Sequence, residues 1–90
     1  METANLHRLT GTWESVDGKE SLIITHNHDG KFWLIIVYMN DNGQASPSIY
    51  EIEKDEDGLF ISQGMKRLSI TYDALKDELY LSKYGDYLRN

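Results

Sequence analysis

Residues 31–39 read Lys-Phe-Trp-Leu-Ile-Ile-Val-Tyr-Met, so eight apolar or aromatic residues follow the lysine without a break. Branched and aromatic side chains in such density suit a pleated, buried surface, and the stretch predicts a strand rather than a helix. Side chains alternate across a strand, which sends Phe32, Leu34, Ile36 and Tyr38 one way and Trp33, Ile35, Val37 and Met39 the other. Both faces are therefore apolar, whereas an antiparallel strand ordinarily wets one of them. The second face needs a cover: the chain's own N-terminal segment, the far wall of a barrel, or another chain.

Shorter segments repeat the two-residue alternation on either side. Residues 9–15, centred on Trp13, read as a first strand and residues 20–26 as a second, with Leu22 and Ile24 opposite Ile23 and Thr25. A turn at residues 16–19 separates them, and Asn27-His28-Asp29-Gly30 closes a hairpin into the long apolar strand. After a polar loop at 40–46, residues 48–54 set Tyr50 and Ile52 against Ile49, Glu51 and Glu53, with Pro47 suited only to a strand start or edge. Residues 59–63, 67–72 and 78–83 continue the rhythm, and 84–89 add a short last strand. Residues 3–8 predict one helical turn with Thr3 as its cap and Leu6 and Leu9 as anchors, placed to plug an end or cover a face.

Seven or eight strands joined by short loops spell an all-β antiparallel up-and-down meander. Closure removes exposed edges, so the expectation over residues 1–90 is a single-domain small barrel or half-barrel. At 90 residues the chain buries only about 60 to 65 per cent of its unfolded surface, which leaves little room for a spacious internal cavity.

Fifteen acidic against nine basic residues give a formal charge of −6, which repels phosphate backbones and argues against a nucleic-acid partner. No stretch approaches the roughly 20 apolar residues of a membrane span, and residues 1–9 lack a basic start followed by an apolar run. A cytoplasmic protein with no membrane partner is the expectation. With no cysteine, neither disulfides nor thiolate metal sites contribute.

His26 and His28, with Asp29 beside them, invite a metal reading, but two or three ligands at a hairpin tip make an incomplete site. Asp55, Glu56 and Asp57 before Gly58 lack the twelve-residue calcium loop and read as a solvated turn. No metal or other cofactor is expected. No serine sits in a nucleophile motif, no glycine loop cradles phosphate, and carboxylates spread over an acidic surface lack the desolvation that tunes acid–base chemistry. An enzyme is the least expected class. The aromatics say more: two tryptophans, two phenylalanines and six tyrosines supply core filling and amphipathic contact area.

Leu9-Thr10-Gly11-Thr12-Trp13, the Asp29-Gly30 hairpin and the terminal Tyr87-Leu88-Arg89 resemble the lipocalin, fatty-acid-binding and avidin group of barrels. The resemblance implies that Gly11 and Trp13 open the first strand and that Arg89 packs across Trp13 at the barrel end, a structural device worth about 0.5 to 2 kcal/mol as a cation–π contact. It implies no biotin site, since only Glu14 or Ser15 stands near the avidin ligand position and the other tryptophans have no counterpart. The second half of the chain also resembles small uncharacterised lipocalin-like proteins of Bacteroidetes-type bacteria, which implies no known activity. Three functional expectations remain. The first is a non-enzymatic binding module using Trp33, Ile35, Val37 and Met39 to engage a protein partner or a second copy. The second is a small apolar-ligand carrier at a barrel mouth near Trp13, Tyr38 and Tyr50. The third is an inhibitor-like presentation of the loop at 40–46.

Overall fold

The computed structural model describes residues 6–18 and 20–90; Thr3, expected as a helix cap, and Lys19, in the first expected turn, lie outside them. The described chain forms a short helix and nine antiparallel strands: α1 (Leu6–Leu9), β1 (Gly11–Ser15), β2 (Glu20–His26), β3 (Phe32–Met39), β4 (Ala45–Glu51), β5 (Glu53–Asp55), β6 (Gly58–Gln63), β7 (Lys66–Asp73), β8 (Glu78–Leu81) and β9 (Gly85–Arg89). All nine belong to one sheet in the order β4-β3-β2-β1-β9-β8-β7-β6-β5. First and last strands pair, Trp13 opposite Arg89 and Ser15 opposite Tyr87, so the meander rolls into a nearly closed barrel.

The expected strand at 48–54 is two strands, and the division explains the closure. Ile52 donates its N–H to the Phe32 carbonyl at 2.8 Å, still bound to β3. One residue later the chain pairs with β6, Glu53 opposite Phe60. The two sheet edges, β4 and β5, are thus consecutive segments of chain joined at the buried Ile52. β4 also begins earlier than expected, because Asn40 folds the preceding turn: its Oδ1 accepts from the Asn42 and Gln44 N–H groups at 2.9 and 3.0 Å. That turn brings Ala45 and Ser46 into register with Met39 and Tyr38.

One face of β1, β2, β3 and of β6 to β9 fills the barrel, while β4 adds only the half-buried Tyr50. Trp13, Leu22, Leu34, Ile61, Leu68, Leu79, Leu81 and Tyr87 are wholly buried, with Ile24, Ile36 and Ile70 beside them. The interior is packed by its own side chains, as a barrel of about eight strands permits. Helix α1 lies at one end and adds Leu6 and Leu9 to this core. Its Leu6 and Leu9 anchors sit inside the barrel rather than over the second face of β3.

A four-residue helix leaves its last carbonyls without intrahelical partners. Here the barrel supplies the donors. Thr10 Oγ1 donates to the His7 carbonyl at 2.7 Å, Arg89 Nη2 to the Arg8 carbonyl at 2.6 Å, and the Trp13 indole Nε1 to the Leu9 carbonyl at 2.9 Å.

Candidate binding surfaces

Three constellations from the sequence are recognisable in the barrel, and they occupy different places. Gly11, Trp13 and Arg89 meet at the α1 end. The Arg89 guanidinium lies 4.3 Å above the Trp13 ring, and its Nε and Nη2 donate to the two oxygens of Asp77 at 2.8 and 3.1 Å. Asp77 in turn accepts from the Tyr72 hydroxyl at 2.6 Å, and Tyr72 meets Trp13 edge-on with ring centroids 6.1 Å apart. Those two bonds, Arg89 first, hold the Asp77 carboxyl down to about 2. Gly11 has a φ of +131°, and a Cβ there would stand 3.3 Å from Arg89 Nη1, so the close approach needs glycine. The polar groups of Arg89, Asp77 and Tyr72 are thus bonded to one another and to the α1 end of the barrel.

The second constellation is the outward face of β3. Trp33, Ile35, Val37 and Met39 point away from the core, Met39 being 57% exposed. Register joins them to outward residues of the neighbouring strands: Ile23, Ile35 and Ile49 form one row across β2, β3 and β4. Ser21, Val37 and Pro47 form the next, and Thr25, Trp33 and Glu51 the one beyond. Ile49 is 62% exposed although it lies at the centre of β4. Among the described residues, Glu14 and Glu51 are the only charged side chains at the outward strand positions of this wall, at its two borders.

The opposite wall is different. Its outward positions include Glu53, Ser62, Arg67, Thr71, Asp73, Glu78 and Asp86, with Phe60 under the Arg67 guanidinium at 3.8 Å. Arg67 also forks onto Asp55, whose Oδ1 further accepts from the Asp57 N–H at 2.9 Å. The ion pair holds Asp55 down to about 2. The acidic turn thus directs its first carboxylate to an arginine and to its own backbone.

Tyr38 and Tyr50 do come together, at the barrel end opposite α1. They line a cavity of about 310 Å³ with Ile36, Ser46, Ser48, Tyr84 and Glu20. Trp13, expected near this mouth, is instead wholly buried beneath Arg89 at the other end. Gln63 Nε2 donates to both the Tyr50 and Tyr84 hydroxyls, at 3.1 and 2.8 Å, tying β4 to the β8–β9 turn across the gap between the sheet edges. Tyr87, buried in the core, donates its hydroxyl to Glu20 Oε2 at 2.6 Å, and burial followed by that bond pushes its phenol far above the usual range.

His26 and His28 share a second shallow cavity with His7 of α1. The His7 and His26 rings are 5.0 Å apart, edge to face, and both lie against Phe32. Asp29 does not line it. Among the described residues no group of three or more His, Cys, Asp or Glu is arranged to hold a metal ion, and no helix is long and apolar enough to cross a membrane.

Comparison with protein families places this barrel. Residues 1–89 match DUF3876, described as a domain of unknown function with a B. theta gene description. The chain belongs to DUF3876. Comparisons with curated proteins and with solved structures found no match. The DUF3876 assignment agrees with the resemblance to uncharacterised Bacteroidetes proteins and brings no activity with it, so function rests on the surfaces themselves. Of these, sequence reasoning missed Ile23 and Ile49 as members of the outward patch and Glu20 and Tyr84 as members of the mouth. Ile23 and Ile49 carried the signal, since each alternates out of phase with its strand's core positions. Glu20 carried a signal too, since the β2–β3 hairpin sets it opposite Tyr38, whereas Tyr84 carried none and reaches the mouth only through barrel closure.

Proposed function

We propose that this protein is a non-enzymatic binding module with a lipocalin-like barrel, and that the outward wall of β2, β3 and β4 docks a protein partner. The observation that carries the reading is the continuous apolar surface of Ile23, Trp33, Ile35, Val37, Pro47 and Ile49, set beside an opposite wall where Phe60, Tyr80 and Leu88 are dispersed among charged and hydroxyl side chains. An apolar patch of this kind, bordered by charge, has the composition of an interface core and rim. The borders decide what docks. Glu14 and Glu51 flank the patch, no lysine or arginine occupies its strand positions among the described residues, and the whole chain carries −6. A partner with an apolar centre and a basic rim complements that arrangement, whereas a second copy brings carboxylates toward carboxylates. The lipocalin-like part of the reading rests on Arg89 over Trp13 beside Gly11.

Trp33→Glu tests this. The account expects the variant to keep the β-type circular dichroism of the wild type, because Trp33 lies outside the core, and to lose its partner. In the wild-type complex, raising the salt from 50 to 500 mM should weaken association, since rim charges are screened over about 10 Å at 0.1 M. A variant that unfolds, or one that binds as the wild type does, contradicts the reading.

A further inference from the structure

The mouth opposite α1 has a chemistry of its own, separate from the docking wall because its residues occupy the inward register of β2, β3 and β4. Tyr38, Tyr50 and Tyr84 surround it, Glu20 stands among them, and two serine hydroxyls complete the lining. Among the described residues no lysine or arginine lines it. Three phenol rings offer electron-rich faces, and a carboxylate offers a full negative charge. Together they suit a positive guest poorly matched by a neutral or anionic one.

Preorganisation strengthens the case. Glu20 is held by the buried Tyr87 hydroxyl at 2.6 Å, so its carboxylate is positioned before any guest arrives. Tyr50 and Tyr84 are held by the Gln63 amide, which donates to both phenol oxygens. Fixing these groups in advance reduces the ordering lost on binding. Tyr38 is 55% exposed and forms the outer wall of the mouth. The cavity, at about 310 Å³, lies at the small end of ligand pockets and suits a compact molecule. The −6 charge of the chain further raises the local concentration of cations.

We propose that this mouth binds a small alkylammonium cation, with Glu20 as its counter-charge and Tyr38, Tyr50 and Tyr84 as its aromatic walls. Relative to the apolar-ligand reading of the same mouth, the guest differs in one respect: it is charged. A trimethylammonium head group packs its methyls against the rings while its charge faces Glu20. A neutral molecule of the same shape keeps the first contact and loses the second.

The test is a two-dimensional amide NMR titration of the full chain with choline and, separately, with its neutral isostere 3,3-dimethylbutan-1-ol. Choline is expected to give saturable shifts, one site per chain, confined to the neighbourhood of Glu20, Tyr38, Tyr50 and Tyr84, with the neutral alcohol binding at least about tenfold more weakly. Glu20→Gln should weaken choline by about tenfold. Tyr38→Leu, at an exposed position that leaves the Tyr87 and Gln63 bonds intact, should weaken it several-fold in a chain whose spectrum shows it folded. Absent or non-saturable shifts with choline overturn the proposal. So does equal binding of the alcohol, which points to an apolar pocket, or binding unchanged in Tyr38→Leu.

Discussion

Arg89 joins four parts of the chain at one point: it covers Trp13, pairs with Asp77, and donates to the Arg8 and Thr10 carbonyls. Replacing it with alanine uncovers the indole and removes the donor to the Arg8 carbonyl at the end of α1. Arg89→Ala should therefore lower stability by about 2 to 3 kcal/mol in urea unfolding, and Arg89→Lys, which keeps the charge but not the fork, should recover only part of that. The two aspartates held by arginine give a pH signature. Asp77, paired with Arg89, and Asp55, paired with Arg67, both sit near 2 when folded against an ordinary value of 3.8. A carboxylate depressed by folding contributes stability that is whole above its unfolded pKa and lost as pH falls through its folded one. The urea midpoint should accordingly drop between about pH 4 and pH 2. An Asp55→Asn, Asp77→Asn double variant, weaker at neutral pH, should lose less across that interval. Both pairs are partly exposed, so salt should soften the effect. The Gly11, Trp13 and Arg89 arrangement was expected from the resemblance to the lipocalin group. Asp77 was not, because it reaches Arg89 from a left-handed turn at φ 53°, and no periodicity announces such a turn.

Among the elements, β4 has the least ordinary task, since it is an open edge. The bonded pairs of its hairpin are Asn40 with Gln44 and Phe32 with Ile52. Counting alternate positions between them, the N–H groups of even-numbered residues face β3 and those of odd-numbered residues face the open edge. Pro47, opposite Val37, is odd. Its missing donor removes no bond from the ladder and instead interrupts the row that a stray strand would pair with. Pro47→Val should leave the unfolding midpoint within about 0.5 kcal/mol of the wild type while increasing concentration-dependent aggregation, measured by light scattering. Equal aggregation of the two proteins would remove Pro47 from that role. The alternation in residues 48–54 correctly separated Tyr50 and Ile52 from Ile49, Glu51 and Glu53. What it could not show is the break at Ile52, because inward and outward positions keep their phase while the pairing partner changes from β3 to β6.

At the scale of the whole molecule, the barrel has two unlike outer walls on one core. The apolar wall was half legible: eight unbroken apolar residues declared that β3 has two apolar faces, and only strand order revealed that β2 and β4 extend the outward one. The mouth was named through Tyr38 and Tyr50 alone; Glu20 follows from the β2–β3 hairpin register opposite Tyr38, while Tyr84 joins them only through the pairing of β1 with β9 and the closure of the sheet. Helix α1 fills one end with Leu6 and Leu9 and leaves the β2–β4 wall without cover from that element. The measurement that bears most directly on the docking wall is native mass spectrometry of the protein purified from its own cells, wild type beside Ile49→Glu. Ile49 is 62% exposed, so the variant should fold as the wild type does. The account predicts a one-to-one complex of the wild type with a basic companion protein, and a bare monomer for Ile49→Glu. A wild-type homodimer, a bare wild-type monomer, or a companion retained by Ile49→Glu would contradict it.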